Sequence, residues 1–121
     1  MSSVISPREF AVYVEEALEG VPAAFRRYLE NITVVVEEEP DREDFAETGT
    51  PRQEELFGIF RGVPYFKRGG VISNLPAQIA IFRGPILRSC ATRREAVREI
   101  RDTVVHEVGH MLGLDDDEMP Y

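Results

Sequence analysis

Residues 92–118 read TRREAVREIRDTVVHEVGHMLGLDDDE. Thr92 is a good N-cap, and Glu95 follows three residues on. Val97, Ile100, Val104, Val108 and Met111 recur at steps of three or four. That single apolar stripe predicts a helix from Arg93 to Leu112. Gly113 stands where a left-handed C-terminal cap belongs. Both histidines of the chain fall in this helix, as His106-Glu107-Val108-Gly109-His110. Positions i and i+4 lie one turn apart on the same face, so the two imidazoles can converge on one ion. His106 is about 200° around the axis from Val104, so the histidines face a cleft while the valine stripe faces the core. Glu107 is turned by about 100° from His106 and can reach a water on the metal without being a ligand. This is the H-E-x-x-H arrangement of two ligands and a general base.

A catalytic zinc usually takes three protein ligands and keeps one position for water. Gly113 can adopt the positive φ that ends the helix and folds the chain back. The residue three positions further on can then approach the same ion, and that residue is Asp116. Asp115, Asp117 and Glu118 offer similar chemistry, but spacing favours Asp116. The expected centre is therefore Zn2+ held by His106, His110 and Asp116, with Glu107 as the catalytic base. Asp102, one turn before His106, is placed to orient its ring. The alternative is a pair of polar histidines on a solvated helix face beside an acidic tail.

Upstream, Ser6-Pro7-Arg8-Glu9 opens a helix with a cap, a proline in the first turn and a capping-box Glu9. Gly20 stops it, and Pro22 begins a short second helix with Phe25, Tyr28 and Leu29 on its apolar side. Ile32-Thr33-Val34-Val35-Val36 reads as a buried strand. Nine acidic residues between Glu37 and Glu55 meet only Arg42 and Arg52, and the stretch reads as a solvated loop. Leu56 to Arg61 predicts a second strand, Gln78 to Arg83 a third closed by Gly84-Pro85, and Val71 to Leu75 a short fourth. Gly62-Val63-Pro64 and Gly69-Gly70 read as turns.

The chain has 121 residues, the size of one domain spanning 1–121. Fourteen Lys and Arg against 22 Asp and Glu give a net charge of −8. That balance argues against nucleic acid and against anionic lipid. No apolar run approaches the length of a membrane helix. The start MSSVISPREF lacks a signal-peptide pattern, so a cytoplasmic location is expected. Cys90 is the single cysteine. It reads as a small filler near a helix start, with no disulfide framework to join.

The H-E-x-x-H-x-x-G-x-x-D pattern resembles the zincin metallopeptidases, in the branch whose third ligand is Asp. The whole chain is similar to the small bacterial minimal-zincin family, with the motif near the C-terminus. The Val-rich strand ending in acids, the Leu56-Phe57-Gly58-Ile59-Phe60-Arg61-Gly62 segment and the Ile79-Ala80-Ile81-Phe82-Arg83 strand extend the likeness. The resemblance implies an α+β fold: a small mixed β-sheet, an N-terminal backing helix (7–19) and a C-terminal active-site helix. It implies His106, His110 and Asp116 as ligands and Glu107 as base. In larger zincins a C-terminal subdomain forms the lower wall of the cleft. Here five residues follow Asp116, which predicts a weak or narrow activity.

The function expected is hydrolysis of a peptide or protein substrate through a zinc-activated water, with Glu107 moving the proton. Residues 78–83 are the candidate edge strand for holding an extended peptide, with an interior strand as the alternative. Tyr65 and Tyr121 are candidate oxyanion donors, and Arg61, Arg83 and Arg88 candidate contacts for an acidic substrate. The competing class is a non-catalytic module in which zinc ties the helix to the tail and stabilises the fold.

Overall fold

The computed structural model describes residues 5–51, 53–62 and 77–114. Their three strands are β1 (Thr33–Glu37), β2 (Gly58–Arg61) and β3 (Gln78–Phe82), in the sheet order β1-β3-β2. β1 runs parallel to β3 with Val35 opposite Ala80, and β2 antiparallel with Phe60 opposite Ile79. The sheet is mixed, as expected. Its order overturns the expectation for residues 78–83, because β3 is the central strand and both its edges are paired. An interior strand is apolar on both faces, which is why Ile79, Ala80, Ile81 and Phe82 are all fully buried. Among the described residues β1 is correspondingly an edge strand, half-buried rather than buried, with Val36 exposed.

One sheet face carries Ile79 and Ile81 into the main core. There they join Phe10, Val14 and Ala17 of α1 (Pro7–Glu19) and Ile100, Val104 and Val108 of α5 (Arg93–Met111). The Ser6 hydroxyl accepts from the Glu9 amide at 3.1 Å, so α1 begins where the sequence places it. The Thr92 hydroxyl does the same for Glu95 at the start of α5. α2 (Ala23–Arg26) follows Pro22 and runs into a 3-10 turn at Arg27–Asn31. Its Phe25, Tyr28 and Leu29 pack onto the core. The opposite sheet face buries Ile59, Ala80 and Phe82 with Val35 and Leu56 against them. Cys90 is buried, and desolvation pushes its thiol pKa up, as suits a filler. No helix among the described residues is long and apolar enough to cross a membrane.

The acidic segment is not simply a loop. It contains α3 (Arg42–Thr48), started by a capping box in which Asp41 and Asp44 each accept from the other's amide at 2.9 Å. The Asp44 carboxylate is buried and also accepts from Arg61 Nη2 at 3.0 Å. Arg61 Nη1 donates to Glu37 at 2.7 Å, so one guanidinium joins β1, β2 and α3. Arg83 donates to Glu38 and to the Ile5 carbonyl, and Arg88 donates to both Glu39 and Glu55. The arginines proposed for an acidic substrate are thus neutralised by the acids of the same segment. β3 ends at Phe82, just before Gly84-Pro85 as expected, and these two residues lie in the first turn of a helix, α4 (Arg83–Ser89). Val71–Leu75, Val63-Pro64 and Gly69-Gly70 lie outside the described residues.

The position of β2 against α5 depends on Gly58. A Cβ there would meet Thr103 Cγ2 at 2.6 Å and the Ala80 carbonyl at 2.9 Å. Gly58→Ala should therefore destabilise the fold by ~1–3 kcal/mol, the usual cost of overpacking. Thr103→Ser removes the obstructing methyl and should recover part of that loss in the double variant. Thermal denaturation of the four proteins reads both effects. An unchanged Tm for Gly58→Ala would contradict the close approach.

Candidate active site

The site is built on the last two turns of α5 and its C-terminal cap. Leu114 N–H donates to the Gly109 carbonyl at 2.9 Å and Gly113 N–H to His110 at 3.0 Å. Gly113 has φ +83. These are the paired bonds and left-handed residue of a Schellman cap, so the helix stops and the chain turns where the sequence predicts. Asp116, with its neighbours Asp115 and Asp117, lies outside the described residues, as do Tyr65 and Tyr121.

His106, Glu107 and His110 line one cleft lobe of about 460 Å³. The two imidazole centroids stand 6.1 Å apart with the rings at 72°. His106 Nδ1 lies 3.0 Å from the main-chain carbonyl of Asp102. A carbonyl can only accept, so Nδ1 carries the hydrogen and neutral His106 keeps its lone pair on Nε2. The orienting group is thus the Asp102 carbonyl. Its carboxylate, the partner expected from sequence, accepts instead from Arg101 at 2.9 Å. His110 is about half exposed, with a side-chain accessibility of 48%.

Glu107 is held from a direction that no local pattern reveals. Its Oε1 accepts from the Phe60 amide at 2.9 Å, 47 residues away in sequence. Phe82 N–H donates to the Phe57 carbonyl, so alternate residues of β2 face β3 and Phe60 points its amide outward, toward α5. Oε2 lies 3.8 Å from His110 Nδ1. Glu107 and His110 also border a second lobe of about 720 Å³, whose wall includes Thr48, Ile59, Phe60 and Met111. The two lobes share Leu56, Gly58, Glu107 and His110.

The donor chemistry suits zinc. Two imidazoles lie one turn apart, one tautomer is fixed with Nε2 available, and a carboxylate is held beside them. Among the described residues no third His, Cys, Asp or Glu completes a metal-holding group. Sequence reasoning passed over two contributors. Phe60 acts through its amide, which carries no side-chain signal. Glu99 lines the smaller lobe and was legible in principle, since it stands seven residues before His106 on the same helical face.

Glu99 is half-buried and bonded by the Thr103 hydroxyl at 3.3 Å. Burial raises its pKa above the ordinary value, with Asp102 adding to the rise while the Thr103 hydrogen bond and His106 oppose it. A carboxyl that ionises less readily in the folded state lowers stability as pH climbs through the carboxylate range. Glu99→Gln should therefore raise the Tm of the metal-free protein at pH 7. It should have no such effect at about pH 3, where both states hold the proton. Equal shifts at the two pH values would refute the desolvated carboxylate.

The comparisons with known proteins bear on this geometry. No curated protein matches the chain. A conserved hypothetical protein from Thermo thermophilus has a similar fold, with a TM-score of 0.58 at 22% identity. The match covers 89% of this chain and 94% of that one. The model of the zincin-like metallopeptidase family matches residues 29–121, from the 3-10 turn through the histidine helix to the last residue. The chain, with its α+β fold and its paired histidines on the cleft helix, therefore belongs to the zincin-like metallopeptidase family.

Proposed function

We propose that the protein is a zinc-dependent peptidase in which His106, His110 and Asp116 hold Zn2+ and Glu107 is the general base. The observation that carries this reading is the meeting of His106, Glu107 and His110 on one cleft wall, with His106 Nε2 left free to bind. Zinc bound there supplies Lewis acidity, polarising the scissile carbonyl and making an attacking water acidic near neutral pH. The chain's own groups do the rest. The Phe60 amide fixes Oε1 of Glu107, leaving Oε2 to take the proton of the attacking water. As the carbon–nitrogen bond breaks, Glu107 passes that proton to the departing amine.

An extended peptide needs an open strand edge. β3 is excluded by its two partners, while β2 pairs among the described residues with β3 alone and borders both lobes. We place the substrate alongside β2, in the cleft it shares with α5. The Phe60 amide on that edge is taken by Glu107, so a peptide pairs only with the remaining main-chain groups of the edge. The exposure of His110 favours this reading over a sealed structural zinc, because a catalytic centre keeps an open position.

His106→Ala and His110→Ala should each abolish stoichiometric zinc binding, read by metal analysis of the purified protein. Asp116→Ala should weaken zinc more than Asp115→Ala or Asp117→Ala, and equal losses would assign the third ligand to no single residue. Glu107→Gln should keep the zinc and lower peptidase activity by about 10²–10⁴-fold. Activity that survives Glu107→Gln would rule out Glu107 as the base. A zinc-loaded wild type inert toward a broad peptide library would favour the non-catalytic module.

A further inference from the structure

Glu99 and His106 line the same lobe of the cleft. Seven residues of helix place them about 10 Å apart along the axis of α5. Besides Glu107, the carboxylates lining that lobe are Glu55, Glu99 and Asp102, and no Lys or Arg lines it among the described residues. Glu55 accepts from Arg88 Nε at 2.9 Å, and Asp102 accepts from Arg101 Nη2 at 2.9 Å. Glu99 differs from both. It is half-buried, it accepts from a hydroxyl, and no salt bridge among the described residues includes it. A carboxylate drawn out of water without a counter-ion is costly, and a ligand that brings a cation offsets the cost.

We propose that Glu99 is a specificity-determining residue that selects peptides carrying a Lys or Arg side chain about three residues from the cleaved bond. The spacing follows from ~3.3 Å per residue of extended peptide over the ~10 Å of helix rise between Glu99 and His106, the nearer of the two histidines. Leu56 and Phe57 line the same lobe and suit the apolar stem of such a side chain. The preference is one-sided. The larger lobe is walled by Leu56, Ile59, Phe60 and Met111, and its own acid besides Glu107, Glu47, is exposed to solvent. This inference rests on the peptidase reading, since it names the substrate class of that site.

The test uses the zinc-loaded full chain and a randomised decapeptide library, with cut sites read by mass spectrometry. Lys and Arg should be enriched two to four residues from the cut, on one side only. For a matched pair of peptides bearing Lys or norleucine at that position, kcat/KM should favour Lys by about tenfold, the ratio of a charge-assisted hydrogen bond. Glu99→Gln should bring the ratio close to one, and Glu99→Lys should favour a Glu-bearing peptide. A library without basic enrichment, or a Lys preference unchanged in Glu99→Gln, overturns the proposal. If the loaded protein cleaves nothing, the peptidase reading fails separately, and Glu99 is judged by binding. Fluorescence anisotropy with the same labelled pair should then show a Lys preference that Glu99→Gln removes, and equal Kd values overturn the role of Glu99.

Discussion

A strand and a helix that nearly touch set the geometry of this protein. Gly58 lets β2 approach α5 at Thr103, closer than any side chain would permit. One turn further along the helix, that closeness brings the Phe60 amide onto the Glu107 carboxylate. Glu107, the proposed base, is thus positioned by main chain from a different element. Main-chain donors are held by the strand ladder itself, so a carboxylate fixed this way loses little freedom when a substrate arrives. The cleft takes its shape from the same approach, since both lobes open on either side of Gly58 and share it as a wall.

The histidine helix was legible because its signals are local. A cap, a period, two imidazoles four residues apart and a terminal glycine all lie within 22 residues of one another. α1 was legible for the same reason. Strand order was not, because alternation in Gln78–Phe82 describes which residues point up or down and says nothing of how many neighbours the strand has. α3 was hidden by composition. Its acids resemble a solvated run, yet Asp41 and Asp44 cap a helix end and Asp44 accepts a guanidinium from β2. A long-range partner of that kind leaves no trace in a window of sequence. The third ligand was read from spacing past Gly113, and the cap that justifies the spacing is present while Asp116 lies beyond the described residues.

The acidic composition also takes on a different meaning in three dimensions. Glu37, Glu38, Glu39, Asp44 and Glu55 meet Arg61, Arg83 and Arg88 across the sheet edge. The arginine partners hold the Glu37 and Glu39 carboxyls below their ordinary pKa. Pairs as exposed as Arg88 with Glu39 contribute little energy, but together they fix where α3 and its neighbouring residues border the larger lobe. Glu99, half-buried and outside these pairs, carries negative charge into the cleft.

The contact between His106 and the Asp102 carbonyl has an evolutionary corollary. Every residue type supplies a carbonyl at position 102, so the ring that presents Nε2 is oriented by something mutation cannot remove while the helix persists. Descendants of this sequence are free to change the charge, size or polarity of residue 102 without surrendering the tautomer. The surface beside the histidines can therefore drift while the ring nitrogen that His106 presents to the cleft is inherited intact.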